Sequence, residues 1–292
     1  MSSVATVIVA YNSGEFLRRC LAAVGSDHAE TLVVDNGSPE RSAADVCAEL
    51  GHVRLIERAR NDGFATAANA GVAATTAPWV LLLNPDAWPL GDGIETLLAY
   101  AERDPRTAAV GPLLVDEDGQ PTRSTIRAPL SAAALALWVA LPKRVSAAYA
   151  VWRRATGDKA SDRVLADEFL QGSALLLRRS AFEEVGGFDE SFFMYGEDAD
   201  LCARLRGAGW GVELCTDATF VHVGGGSSGG AGERLRIELL RSWLRLIAKR
   251  DGIARAERAR RWLQRSLRIK GQRDAAAWAG SGGVGDLLGL PE

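Results

Sequence analysis

The chain opens on Val4–Ala10 (VATVIVA), a run of apolar and β-branched residues without a charge, and then changes period. Seven charge-free positions, polar only at Thr6, predict a strand buried on both faces, whereas Glu15–Val24, with Phe16, Leu17 and Leu21 inward, has helical spacing. The alternation repeats. Thr31–Val34 predicts a second strand ending at Asp35, with a turn at Asn36-Gly37-Ser38-Pro39, Val53–Glu57 a third, and the wholly apolar Trp79–Leu83 (WVLLL) a fourth. Strands separated by helical crossovers predict an α/β layered sheet with right-handed connections.

In open parallel sheets, ligands sit beyond the carboxyl ends of the strands. The residues expected there are Tyr11-Asn12, Asp35 and Asn84-Pro85-Asp86, all polar or turn-forming. Further on, Ala108–Val115, a turn at Asp116–Gly119 and Gln120–Ile126 read as a hairpin. Ser131–Arg154 reads as a helix, Phe169–Arg178 as one strand, and Gly211–Val223 as two short strands around Thr216-Asp217-Ala218. The Gly/Ser stretch Gly224–Gly232 is either a lid or a linker, and the Gly-rich end from Ala279 to Glu292 is expected to fray.

Charge sharpens this picture. The net charge is only −3, yet residues 233–274 hold fourteen Lys/Arg against five Asp/Glu, a local +9 that leaves −12 elsewhere. Leu235, Leu239, Leu240, Trp243, Leu244 and Ile247 form an apolar face among Arg234, Arg241, Arg245, Lys249 and Arg250. This predicts either a helix packed on its domain with a solvated basic side or a peripheral anchor to an anionic membrane. Nucleic acid is disfavoured, because no recognition motif accompanies the charge. The longest apolar stretch, Ala128–Pro142, is too short to span a bilayer and contains two prolines. Cys20, Cys47, Cys202 and Cys215 are widely spaced, which predicts reduced, packed thiols. With no secretory leader at the start, a cytoplasmic protein is expected.

Three groups of residues carry candidate chemistry. Asn84-Pro85-Asp86 reads either as a plain β-turn or as an oxygen ligand for a divalent cation on a leaving diphosphate. Glu197, Asp198 and Asp200 stand at the start of a helical run, behind Phe192-Phe193-Met194-Tyr195. Favourable placement at a helix N-terminus and an Asp200–Arg204 pair account for two acids. The third suits a general base behind an aromatic wall. His222 follows an apolar strand, and alone reads as structural more readily than as a ligand. A dinucleotide-binding reading fails, since Tyr11-Asn12-Ser13-Gly14-Glu15 lacks the GxGxxG spacing.

Taken in order, VIVAYNSGEFLRRCL, VVDNGSPE, NDGFATAANAG, LLLNPDAW, GGFDESFFMYGEDADLCARLRGAGW and VHVGG resemble the family-2 glycosyltransferases of GT-A fold, over Val4 to Gly226. The resemblance implies a Rossmann-like mixed sheet with helices on both faces, followed by the basic helices. It implies that Asp35 binds a nucleobase, that Tyr11 and Asn12 line the base and ribose pocket, and that Asn61 and Gly63 position the nucleotide. By the same resemblance Asn84 and Asp86 meet the donor diphosphate, Asp86 and His222 hold Mn2+ or Mg2+, and Asp198 deprotonates the acceptor. Gln171, Gly172, Tyr195, Glu197 and Asp200 fall on the acceptor side. Asn84 stands where the family's metal motif has its first Asp, which removes one charge. Within the family, NPD with GEDADL is most similar to bacterial rhamnosyltransferases using dTDP-L-rhamnose and polyprenyl-diphosphate-linked N-acetylglucosamine, among them a mycobacterial cell-wall linker rhamnosyltransferase. The implied division is a catalytic domain at 1–232, with a nucleotide half to about 115 and an acceptor half after it, then basic helices at 233–278 and a tail. The protein would work in the cytoplasm or on the inner face of the plasma membrane. A dimer is compatible with the sequence, which leaves the oligomeric state open.

Overall fold

The computed structural model describes residues 4–25, 30–40, 42–127, 164, 168–224, 232–269 and 271–289. The chain divides into two compact units. The first comprises Met1–Ile126, Ser161–Phe193 and Glu197–Gly229; the second comprises Arg127–Ala160, Met194–Gly196 and Gly230–Glu292.

In the first unit the elements run β1 (Val4–Ala10), α1 (Gly14–Val24), β2 (Glu30–Asp35), α2 (Ser42–Leu50), β3 (Arg54–Glu57), α3 (Phe64–Ala73), β4 (Trp79–Leu83), β5 (Ala87–Pro89), α4 (Gly93–Ala101) and β6 (Thr107–Val115). There follow β7 (Thr125–Arg127), β8 (Glu168–Leu170), β9 (Ala174–Arg178), α5 (Arg179–Glu184), α6 (Glu197–Gly207) and β10 (Gly211–His222). Eight of these strands form one sheet in the order β3-β2-β1-β4-β9-β6-β10-β5. The β3-β2-β1-β4 half is parallel; β9 then runs antiparallel between β4 and β6, and β5 antiparallel to β10. The sheet is therefore mixed, as the resemblance implied.

The apolar runs explain this placement. Every residue of β1 and β4 is buried, and each fully buried Leu of β4 contributes about 1.5–3 kcal/mol. Neighbouring residues of a strand face opposite sides. Ile8 and Leu81 join Leu17 and Leu21 of α1 in one core, while Val7 and Val34 meet α3 at Gly71. A Cβ on Gly71 would come within 2.4 Å of Val7, so the glycine permits the close approach of helix and sheet. Helices consequently cover both faces.

Three expectations are corrected. Phe169–Arg178 is not one strand: Gln171-Gly172-Ser173 form a turn between β8 and β9, with Gln171 N donating to Ser124 O and Asn84 N to Ser173 O. The apolar run hides a break at its one glycine. The hairpin after β6 closes only as far as the Val115–Pro121 bridge, and β7 turns away to pair with β8. Pro121 offers no N–H to extend a ladder. The two strands expected around Thr216–Ala218 are one, β10, whose register with β6 jumps from Cys215↔Pro112 to Thr219↔Leu113. All four cysteines are buried and free, as expected. Burial pushes the thiols of Cys20, Cys47 and Cys202 up, to about 11 for Cys47 and about 12 for Cys202.

The second unit holds α7 (Gly232–Asp251), α8 (Ile253–Ile269), α9 (Arg273–Gly280) and α10 (Val284–Leu288). Leu240, Trp243, Leu244 and Ile247 of α7 are buried, and even Arg245 is enclosed, donating to Leu288 O at 2.6 Å. Four of the six apolar residues of that face are thus buried, while Leu235 and Leu239 are half-buried. Val284–Leu288 is helical within the stretch expected to fray. Its Val284 N donates to Glu257, whose carboxyl is held near 2 by hydrogen bonds from Arg260 and Arg261. Among the described residues, no helix is long and apolar enough to cross a membrane. The expected helix at Ser131–Arg154, the apolar stretch Ala128–Pro142 and most of Gly224–Gly232 lie outside the described residues.

Candidate functional site

Of the catalytic, donor, acceptor and metal residues expected from the sequence, all lie in the first unit except Tyr195, which belongs to the second and has φ +67°. Those of the first unit lie at the ends of β1, β2, β4 and β10, in the β8–β9 turn and at the starts of α3 and α6.

At the first edge, β1 and β2 pair in register, so Ala10 stands beside Asp35. Asp35 is 5% exposed, and its Oδ1 accepts from Ser38 N at 3.2 Å and Ser38 Oγ at 2.5 Å. The same hydroxyl accepts from Asn12 N at 2.9 Å, tying the β1 and β2 exits together. Asn12 has φ +49°, a left-handed conformation that Asn tolerates better than most residues. Asn36 is buried and donates through Nδ2 to Asn61 Oδ1 (2.9 Å) and Gly63 O (3.0 Å), while Gly63 N donates back to Asn61 Oδ1. Gly63 has φ +95°, and a Cβ there would lie 2.4 Å from Phe193 O. Sequence reasoning missed Ser38 and Asn36, which it read as turn formers. The available signal was polar side chains immediately after a buried strand, where backbone donors need partners.

The second edge brings the acids together. Asn84-Pro85-Asp86-Ala87 is a β-turn, closed by Ala87 N to Asn84 O at 3.1 Å. The turn reading is therefore correct, and it also aims a side chain. Asp86 is 4% exposed, and its Oδ1 lies 3.7 Å from His222 Nε2. The antiparallel pairing of β5 with β10 sets this approach, matching Ala87 to His222, with Val223 N donating to Asp86 O. On its other side His222 Nδ1 is 3.3 Å from Gln171 Nε2. In this orientation the Gln171 amide donates to Nδ1. Rotated by half a turn, it accepts from Nδ1–H and leaves the Nε2 lone pair free toward Asp86. Burial lowers the His222 pKa from its usual value and outweighs the opposing pull of Asp86, so the ring favours the neutral form that binds metals.

Asp198 sits in the first turn of α6 over the same β8–β9 turn. Gly172 N donates to its Oδ2 at 3.1 Å and Ala199 N to its Oδ1 at 2.8 Å. Both oxygens accept from backbone N–H groups. Gly172 leaves room for this: a Cβ would contact Asp198 at 3.5 Å. Glu197 is 7% exposed, and burial, then the neighbouring Asp198 charge, raise its pKa from 4.5 to about 8. One acid of the pair is thus held neutral while the other faces its donors. Asp200 is buried and bonds Arg204 Nε at 2.7 Å, the helix pairing considered from the sequence. Asp86, His222, Gln171, Gly172 and Asp198 form a chain of adjoining residues from the β4 exit to the start of α6.

Residues 5–186 match the family model for Glycosyl transferase family 2. The chain belongs to this family. It is a glycosyltransferase, 35% identical over 244 residues to the N-acetylglucosaminyl-diphospho-decaprenol L-rhamnosyltransferase of Mycobacterium tuberculosis, with 76% of each chain covered. A shorter stretch of 49 residues, 17% of this chain and 18% of that protein, is 51% identical to the rhamnosyltransferase WbbL of Escherichia coli. Among solved structures, a mannosyltransferase of Pyrobaculum calidifontis in complex with GDP-Man and Mn2+ shares the fold. It has a TM-score of 0.58 at 16% identity, covering 99% of this chain and 81% of that one. GalNAc-T7 with UDP, GalNAc and Mn2+ gives a TM-score of 0.60 at 15% identity, covering 98% of this chain and 56% of that one. The architecture of this glycosyltransferase is the GT-A type.

The residues present fit a divalent cation. Asp86 supplies a hard oxygen and His222 a neutral imidazole, 3.7 Å apart; two ligands about 2.1 Å from one ion sit roughly 3–4 Å apart. Among the described residues there is no cluster of three or more His, Cys, Asp or Glu, so oxygens from the donor and water would complete the shell.

Proposed function

We propose that this glycosyltransferase moves L-rhamnose from dTDP-L-rhamnose to a hydroxyl of a polyprenyl-diphosphate-linked N-acetylglucosamine, with inversion at the anomeric carbon. The 35% identity to a rhamnosyltransferase whose name specifies such an acceptor supports the donor sugar and the acceptor class. The single observation that supports the mechanism is the run of adjoining residues Asp86–His222–Gln171–Gly172–Asp198 at one edge of the sheet, in which we read Asp86 and His222 as a ligand pair and Asp198 as the base.

Asp35, Asn12, Asn61 and Gly63 hold the nucleoside at the β1–β2 exits. Asp86 and His222 would hold Mn2+ or Mg2+, whose charge stabilises the departing diphosphate. Asp198, fixed by two backbone N–H donors, takes the acceptor proton as the hydroxyl attacks the anomeric carbon from the side opposite the leaving group. A single displacement inverts configuration. Glu197, neutral beside it, keeps the pair from carrying two charges.

The test is transfer by purified protein from a panel of dTDP-, UDP- and GDP-sugars to a synthetic lipid-diphosphate N-acetylglucosamine, with the product's anomeric configuration read by NMR. Rhamnosyl transfer with inversion is expected only with dTDP-L-rhamnose and a divalent cation. Transfer from a UDP-sugar alone, or retention of configuration, would overturn the reading.

A further inference from the structure

Helix α8 is two-sided. Ala256, Ala259, Leu263 and Leu267 are fully buried within the second unit. The opposite side of this 17-residue helix, about 25 Å long, exposes Arg258, Arg261, Trp262, Arg265, Arg268 and Ile269. Trp262 is 56% exposed and Ile269 87%. Seven residues apart, they fall on one stripe two turns long, with arginines alongside. Three of the five large apolar side chains exposed among the described residues belong to this helix, Ile253 being the third.

Only half of the six arginines of α8 are paired internally. Arg255 pairs with Asp251, and Arg260 and Arg261 pair with Glu257. Among the described residues, no carboxylate pairs with Arg258, Arg265 or Arg268.

We propose that the outer face of α8 docks on an anionic lipid bilayer, with Trp262 and Ile269 entering the headgroup boundary and Arg258, Arg265 and Arg268 meeting lipid phosphates. Charge complementarity selects the occupant. Uncompensated guanidinium groups beside an indole and an aliphatic side chain match a surface that is anionic outside and apolar a few ångströms below. Nucleic acid would satisfy the arginines but gives Ile269 nothing to do. The docking face stands apart from the transfer reaction and does not depend on it. It also differs from the face of α7 that the sequence pointed to, four of whose six apolar residues are buried.

The test is co-sedimentation of the full chain with vesicles of phosphatidylcholine alone or phosphatidylcholine with 30% phosphatidylglycerol, at ~0.05 and ~0.3 M salt. Binding is expected only to the anionic vesicles and should weaken with salt. Each arginine near such a surface contributes on the order of fivefold in partitioning, so R258Q/R265Q/R268Q should lose on the order of a hundredfold. In brominated-lipid vesicles, the wild type should show tryptophan quenching that W262F loses. All four side chains are exposed, so unchanged circular dichroism is expected for both variants. Equal binding to the two vesicle types, an unaffected triple variant, or salt-dependent capture of single-stranded nucleic acid without vesicle binding would each overturn the proposal.

Discussion

Glu197 offers a quantitative check on the acid pair. It stands at the first position of α6, enclosed, and its Oε2 has no hydrogen-bond partner among the described residues. The unfolded chain releases this proton near pH 4.5, whereas the folded protein holds it to about 8. A raised carboxyl pKa means that its contribution to stability is complete below 4.5 and is lost as pH climbs toward 8. The slope is about 1.4 kcal/mol per pH unit, several kcal/mol across the window. Glu197→Gln cannot ionise and should erase that slope. With an m-value of about 3 kcal/mol/M, the variant should gain about 0.5 M urea in midpoint over the wild type for each pH unit, or about 1 M between pH 5 and 7. Urea-dependent hydrogen exchange of the α6 amides, read by mass spectrometry, measures this locally. Wild-type and variant profiles that stay parallel between pH 5 and 7 would refute the reasoning, because Glu197 would then be ionised in the folded state.

Asp198→Asn keeps the shape but not the base; turnover should fall about 10²–10⁴-fold while calorimetric donor affinity persists, and near-normal turnover would remove Asp198 from the mechanism. Asp86→Ala and His222→Ala should each weaken donor affinity in the presence of Mn2+ and leave metal-free affinity unchanged; equal losses with and without metal would argue against a shared ion. Gly63→Ala places a Cβ against Phe193 O in a left-handed conformation, so a destabilisation above about 3 kcal/mol is expected in denaturant melts.

How far the sequence foretold the molecule depends on how local each signal was. Trp79–Leu83 was legible to the residue, because a charge-free run between polar turns has one reading. Asp200 was legible as a partner of Arg204, since four residues of helix fix that geometry. The break at Gly172 was not, because the apolar run continues across it and only the bonds to Ser124 and Asn84, far away in sequence, demand a turn. Asn36 was invisible for the same reason: its value lies in Asn61 and Gly63, some 25 positions on. The basic helices show the opposite failure. The pattern identified an apolar face on α7, but amphipathicity cannot say what meets that face; in the structure Leu240, Trp243, Leu244 and Ile247 are buried while Leu235 and Leu239 are half-buried.

The register jump in β10 carries a consequence for how this protein tolerates change. Three residues, Thr216–Ala218, stand between Cys215 and Thr219 where β6 advances by one. Everything downstream takes its handedness of projection from that count. Deleting Asp217 alone would spare the buried partners upstream, yet it would swap inward for outward at each later position until the strand slipped to compensate. His222 would then turn away from Asp86, and the fully buried Phe220 would turn out of the core with it. A length change of one residue at exposed Asp217 therefore reaches both the packing around Phe220 and the Asp86–His222 pair.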